Sequence, residues 1–312
     1  MKRILVTGGA GFIGSHFLDL LVEKQAGQII CLDAFTYAGD IRNLETVKDR
    51  IEVVRGDIRN MDDLRKVFSR GIDTVVNFAA ETHVDNSIEG PVVFVDTNVT
   101  GTLRLLMCAL EYGVEKFLHI STDEVYGSRA EGYFKEEDAH YPSSPYAASK
   151  SAAEQLCHAY HVTYHLPVLV ARSTNNYGPR QHGEKFIPTV IRNCLNNSPI
   201  PVYGKGTNQR DWMYVRDNVQ ALLLILQNAK PGDVFNVGAN CHLPNLELAK
   251  RLVKISGSDE KLIKFVEDRK GHDFRYAVDT QKISTLGWKP HVDLDTGLRL
   301  TFEWYKQRHN AS

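Results

Sequence analysis

Arg3-Ile4-Leu5-Val6-Thr7-Gly8-Gly9-Ala10-Gly11-Phe12-Ile13-Gly14 decides how the rest of the chain reads. A short apolar run reads as a strand, spaced glycines as a tight turn, and the following SHFLDLLVEK as a helix. Strand, G-x-x-G-x-x-G turn and helix, in that order, set a dinucleotide pyrophosphate over a helix N-terminus. Gly8, Gly11 and Gly14 are the glycines of that turn. The pattern alone is weak evidence, but a second apolar run, Gln28 to Asp33, ends in an acid. A carboxylate there accepts both ribose hydroxyls of NAD and repels the 2′-phosphate of NADP. No Arg follows it directly, since Ala34, Phe35 and Thr36 come next.

Working outward, three more runs read as strands: Ile51–Arg55, Asp73–Phe78 and Lys116–Ser121. Helical stretches, Asp62–Ser69 and Pro91–Glu111, separate them. Such alternation implies βαβ units, a parallel sheet, and ligands outside the strand C-terminal ends. Each strand end carries residues suited to that place. Asp57 and Ile58 follow the third strand and are placed to bracket an adenine. Ala79 and Ala80 follow the fourth and let a cofactor lie against the backbone, with Thr82 close behind. Thr122, Asp123 and Glu124 follow the fifth.

Tyr146-Ala147-Ala148-Ser149-Lys150 opens a segment of strong helix formers, so Tyr and Lys share one helix face. An ammonium about 4 Å from a phenol is worth roughly 4 kcal/mol at an effective dielectric near 20. That is enough to bring a phenol from about 10 toward neutrality and make it a base toward a sugar or alcohol hydroxyl. Tyr112 and Lys116 have the same spacing but straddle a helix end and a strand start, so their side chains need not meet.

The chain has 312 residues, 43% hydrophobic and 24% charged, with a formal net charge of −1. It is long enough for one large or two modest domains. No basic run points to nucleic acid or an anionic membrane, and no apolar stretch approaches a membrane span. The start reads as a strand rather than a signal peptide. Cys31, Cys108, Cys157, Cys194 and Cys241 lack C-x-x-C spacing, so reduced thiols in a cytoplasmic protein are expected. Cys157, His161 and His165 share a face of one straight helix, which cannot wrap a tetrahedral ion; no metal is expected.

Beyond Leu166–Ala171 the pattern loosens. Arg172 to Asp211 is rich in Asn, Gly and Pro, reads as long irregular segments, and carries charge; Lys185, Arg210 and, further on, Arg269 are candidates to neutralise a diphosphate. The expected architecture is α/β, a Rossmann-type doubly wound parallel sheet with a smaller, mostly C-terminal α/β substrate domain. Its NAD-binding part is residues 1–178 plus roughly 211–238; its substrate part is roughly 179–210 and 239–312.

Together the motifs TGGAGFIG, AAETHVDNSI, DTNVTGT, STDEVYG, SPYAASK, NNYGP, EKFIP, PVYGKG, RDWMYV, DRKGHDFRYAVD and LGWKP run over nearly the whole chain. It resembles the extended short-chain dehydrogenase/reductase superfamily and, within it, the dTDP-glucose 4,6-dehydratase family. The Asp123-Glu124 pair is the specific mark. The resemblance implies a hydro-lyase that oxidises a hexose at C4, eliminates water across C5 and C6, and returns hydride to C6. It implies Asp123 as acid at C6, Glu124 as base at C5 and Tyr146 as base at the C4 hydroxyl. Thr122 would bond the C4 oxygen, and Lys150 would lower the Tyr146 pKa and bind ribose.

The same resemblance implies cofactor contacts at Phe12, Ile13, Asp33 to Thr36, Asp57, Ile58, Ala79, Ala80, Thr97 and Asn176. For substrate it implies Thr82, Asn175, Glu184, Lys185, Tyr203, Arg210, Asn245, Arg269 and His272. Departures cluster on the substrate side. Pro179-Arg180-Gln181-His182-Gly183-Glu184-Lys185 stands where the family usually reads P-Y-Q-F-P-E-K, Lys270 replaces a proline, and Pro244 replaces a polar residue. They keep UDP-sugar dehydratases, 4,6 or 5,6, open as an alternative, beside epimerases and decarboxylases of the same fold. A non-catalytic dinucleotide sensor would need no Thr122, Tyr146 and Lys150 together. In the resembled family the helices at Pro91–Glu111 and Tyr146–His165 pair across a two-fold axis, so a homodimer built on a four-helix bundle is expected.

Overall fold

Alternating apolar strands and amphipathic helices produce one seven-stranded parallel sheet in the computed structural model, which describes residues 1–310. In chain order the strands are β1 Arg3–Thr7, β2 Gln28–Asp33, β3 Glu52–Arg55, β4 Thr74–Asn77, β5 Lys116–Thr122, β6 Val168–Ser173, β7 Asn175–Tyr177, β8 Ile200–Tyr203, β9 Gln209–Tyr214, β10 Val234–Val237, β11 His242–Pro244 and β12 Ile263–Val266. The large sheet runs β10-β6-β5-β4-β1-β2-β3. Its order reverses between β1 and β4, where open α/β sheets hold their ligands.

Both faces are covered. Ile4 and Val6 point to one side, with Phe17, Leu18 and Leu21 of helix α1 (Phe12–Glu23) and Leu222, Ile225 and Leu226 of the helix Val215–Asn228. Leu5 points to the other, with Leu64, Val67 and Phe68 and with Leu105, Leu106 and Ala109. The period of two along β1 thus feeds two cores, which is why the strands read as continuous apolar runs.

A third core lies apart from the sheet. Tyr177, Ile187, Val190, Ile191, Val202, Trp212, Leu248, Leu252, Leu298 and Phe302 pack together there. β7, β9 and β11 form one small sheet beside it, and β8 and β12 another. The stretch expected to be irregular therefore contains regular structure. Ile187, Val190, Ile191 and Cys194 are the buried face of the helix Phe186–Leu195. Pro188 in its first turn, where proline is tolerated, had masked that 3.6-residue period. β10 was also missed, since four residues carry too little pattern.

The helical stretch Pro91–Glu111 also departs from expectation. At 21 residues with a mean hydropathy of 1.3 it is long and apolar enough, by length and composition, to cross a membrane. Here it is a core element that buries Phe94, Asn98, Leu105 and Leu106 and carries Asp96 and Arg104. Tyr112 caps its end while Lys116 begins β5 and donates to the Leu226 carbonyl, so that Tyr–Lys copy is split as its spacing suggested. Cys157 is fully buried, and His161 Nδ1 donates to the Leu166 carbonyl at 3.0 Å.

Candidate active site

The ends of β1 to β6 open on a cavity of about 310 Å3. The glycine turn forms one end. Gly8 sits at φ +68°, and a Cβ there would meet the Ala79 nitrogen at 2.6 Å; one on Gly14 would collide with the Gly8 carbonyl. Only glycine lets β1, β4 and α1 meet this closely. α1 starts at Gly11 with no side-chain cap and no acid in its first turn. The helix Met61–Phe68 is capped by Asn60, and the helix Pro145–Tyr164 by Ser144. α1 alone of these three leaves its first N–H groups facing the cavity, the arrangement that a pyrophosphate satisfies.

Asp33 is buried at the tip of β2. Its carboxylate accepts from the Ala10 N–H at 2.8 Å and from the Phe35 N–H at 2.8 Å. Burial pushes its pKa up while those two bonds pull it back. Two lone-pair directions remain for ribose hydroxyls. Ala34 and Thr36 line the cavity, as do Phe12, Ile13, Asp57, Ile58, Ala79, Ala80, Thr97 and Asn176. Phe35 does not; its role here is the N–H that holds Asp33. Asp57 is gripped by Arg59 Nη2 at 2.6 Å, which helps hold its carboxyl below the usual range against burial. Thr97 lies in a π-helical turn, Val95–Gly101, whose Asn98 bonds both Glu81 and Ser149. The turn thereby ties the wall to the helix that carries Tyr146.

Thr122, Asp123, Glu124, Tyr146 and Lys150 all line the same cavity. Thr122 closes β5 and caps the short 3-10 turn Asp123–Tyr126, accepting from the Glu124 N–H at 3.3 Å. The strand end thus aims both carboxyls together. Asp123 is fully buried; Oδ1 accepts from the Thr122 hydroxyl at 3.3 Å, and Oδ2 has no protein partner. Burial first, then Glu124 and Asp211, push its pKa well up. Glu124 is raised by burial too, but Arg210, Lys185 and Arg269 pull it back. The two neighbours are thereby set apart, one a held acid and the other closer to a carboxylate.

Tyr146 and Lys150 behave differently from the simple pairing argument. Burial and Glu124 push the phenol pKa up, and the bond with Thr122 is what pulls it down. Lys150 Nζ donates to the Ile120 carbonyl at 2.6 Å, and burial lowers its pKa to about 8. An ammonium tied to a strand carbonyl is directed away from the phenol it was expected to activate.

The substrate-side residues divide in two. Thr82, Asn175, Glu184 and Lys185 line the cavity, and Lys185 Nζ donates to the Thr82 carbonyl at 2.8 Å. Asn175 Oδ1, Asn176 Oδ1 and Glu184 Oε1 are buried without a protein partner, a costly state that a polar ligand would relieve. Tyr203, Arg210, Asn245, Arg269 and His272 lie outside that wall. Arg269 pairs with Asp85 at 2.5 Å and stands 5.4 Å over the Tyr203 ring, which also meets His272 at 6.1 Å. Arg210 lies 4.3 Å over Tyr276 and reaches Glu124 electrostatically. Asn245 keeps a buried, unpartnered Oδ1. Sequence reasoning missed Arg59, Glu81, Gln181 and His182 in the wall. The Asp57-x-Arg59 spacing could have signalled the first.

A glycine turn at a sheet switch point, with a tyrosine–lysine helix closing on the end of β5, defines the short-chain dehydrogenase/reductase class. The family model described as GDP-mannose 4,6 dehydratase matches residues 5–301. The Low-salt glycan biosynthesis protein Agl12 of Haloferax volcanii is 46% identical, over 97% of this chain and 98% of its own. A dTDP-glucose 4,6-dehydratase of Streptomyces niveus is also 46% identical, over 97% of this chain and 93% of its own. The chain belongs to the dTDP-glucose 4,6-dehydratase family. DesIV, a dTDP-glucose 4,6-dehydratase of Streptomyces venezuelae crystallised with NAD and dTDP, superposes with a TM-score of 0.97 at 44% identity, covering 99% of this chain and 98% of its own.

Proposed function

We propose that this chain is an NAD-dependent hydro-lyase that converts dTDP-glucose to dTDP-4-keto-6-deoxyglucose and water. One observation carries the reading. Asp123 and Glu124, adjacent in one cavity, are pushed to different protonation behaviour beside Tyr146. Elimination of water next to a ketone needs that combination of acid and base.

Bound NAD would supply the acceptor for the hydride leaving C4 and return it at C6. Gly8, Gly11, Phe12, Ile13, Gly14 and Asp33 would hold it, and the uncapped α1 and the free lone pairs of Asp33 fit it. Tyr146 takes the proton of the C4 hydroxyl, with Thr122 bonded to the same oxygen. The C4 ketone acidifies C5, and Glu124 takes that proton. Asp123 gives its proton to the C6 hydroxyl as it leaves as water. Glu124 then returns a proton to C5. The phenol starts high in pKa, and its bond with Thr122 is what pulls it back toward the range of a base.

Lys185, Arg210 and Arg269 would neutralise the diphosphate, with Tyr203, Asn245 and His272 nearby. On this reading residues 1–178 plus roughly 211–238 carry the cofactor and roughly 179–210 and 239–312 the nucleotide sugar. Exposed Val92, Val95, Met107, Leu110, Val162 and Tyr164 on the two long helices support a homodimer through a four-helix bundle. Leu105, Leu106 and Ala153 of the same two helices are buried within the protomer. Five free cysteines, four of them buried, fit a cytoplasmic location. Purified protein offered dTDP-, UDP-, GDP- and CDP-glucose should remove one water, by mass, from dTDP-glucose many times per enzyme without added oxidant. No loss of water from any of them would end the proposal.

A further inference from the structure

Arg180 occupies the position where the family usually has tyrosine, in left-handed backbone at φ +68°. Its Nη1 donates to Asp19 Oδ2 at 2.7 Å, with the two side chains only 13% and 14% exposed. Asp19 belongs to α1, the helix whose open N-terminus faces the cavity. Two further contacts join the same segment to α1. His16 Nε2 donates to the Pro179 carbonyl at 2.9 Å, and the ring packs edge-on against Phe12 at 5.9 Å. Thr46 Oγ1 donates to Asp19 Oδ1 at 2.7 Å and accepts from Arg180 Nη2 at 3.4 Å. The next two residues, Gln181 and His182, are cavity wall. Gln181 Nε2 donates to the Asn176 carbonyl at 2.9 Å, Tyr305 donates to the Gln181 carbonyl, and His182 stacks edge-on against Tyr37 at 5.5 Å.

We propose that Arg180 is a positioning residue whose ion pair with Asp19 clasps the 179–182 segment onto α1 and so slows release of NAD. The inference rests on the NAD reading given above. A hydride that leaves C4 and returns to C6 of the same sugar requires one cofactor to stay in place between the two steps. A wall fastened to the pyrophosphate helix serves that need. The pair is shielded enough that removing one partner leaves a poorly solvated charge, and such losses are read mainly in dissociation rates.

The test compares holoenzymes of wild type, R180A, D19N and R216A. Bound NAD is quantified after exhaustive gel filtration, and its release is followed by exchange against excess etheno-NAD. R180A and D19N should each release NAD about tenfold faster than wild type, and the double variant no faster than either single one. R216A breaks the Arg216–Glu23 pair of 2.9 Å, which also anchors α1 but not the segment, and should release NAD at the wild-type rate. Wild type that binds no NAD overturns the cofactor reading and the clasp with it. Wild type that binds NAD while R180A and D19N release it at the same rate overturns the clasp alone. So does R216A releasing NAD as fast as R180A, because that assigns the effect to α1 stability. Should R180A not fold, D19N and R180K carry the test, the latter expected to restore part of the retention.

Discussion

The cofactor wall and the substrate wall of the cleft hold their polar groups by opposite means. On the first, backbone does the holding: Asp33 accepts two main-chain N–H groups, and glycines pack strand ends against α1. On the second, side chains face the cavity with buried oxygens unmatched, at Asn175 and Glu184, while Arg269 beyond them pairs with Asp85. The difference teaches where ligand binding is felt. The first wall has its backbone frame in place before anything binds. On the proposed function the nucleotide sugar would supply partners for the unpaired groups of the second wall, which would concentrate binding energy beside the reacting carbons.

The largest expected effect tests whether the chemistry depends on the junction between the walls. Tyr146→Phe should lower turnover by about a thousandfold and yield no keto sugar, because every later step waits on C4 oxidation. Asp123→Asn combined with Glu124→Gln should instead accumulate a 4-keto-hexose that keeps its C6 hydroxyl, with water loss down at least about a hundredfold. Mass spectrometry of single-turnover mixtures separates the two outcomes. Water loss near the wild-type rate in the double variant would remove Asp123 and Glu124 from the mechanism.

A middle-sized effect probes the backbone-built wall. Asp33→Ala should weaken NAD by about ten- to a hundredfold, the worth of one or two charge-assisted hydrogen bonds, and narrow the preference over NADP. Titration calorimetry with both cofactors measures this directly. An unchanged preference would shift the discrimination to Arg59 or Thr36.

The smallest effect concerns stability. Burial raises the Asp123 pKa well above its value in the unfolded chain, where the carboxyl ionises above about 4. Between those two values unfolding releases a proton, so this group makes the fold less stable as pH rises through that window. Asp123→Asn should raise the Tm by a few degrees at pH 7, and the gain should shrink toward zero as pH falls to about 4. A gain that does not depend on pH would mean the carboxyl is already ionised in the folded state.

The same contrast between walls explains what could be read in advance. β1, β2 and β5 and the residues after them were legible, because strand and turn chemistry is local and a dinucleotide is bound through backbone. Tyr203 and His272 could be named only through likeness to a family, since their meeting with each other and with Arg269 depends on packing between segments far apart in the chain. The helix Phe186–Leu195 was hidden by its first-turn proline. Lys150 was found, but not its carbonyl partner, which β5 supplies only once the sheet has formed.

The third core takes Trp212 from before β10 and Leu248, Leu298 and Phe302 from after it, while β10 itself returns to pair with β6. Neither lobe can therefore be cut out as one continuous piece. A fragment ending near residue 178 would leave β6 as a bare sheet edge, open to pairing with other chains. A fragment beginning there would carry β10 with no strand to join. The path of the chain makes each lobe's assembly a condition of the other's, so nascent chains are committed to completing both before either is safe from aggregation.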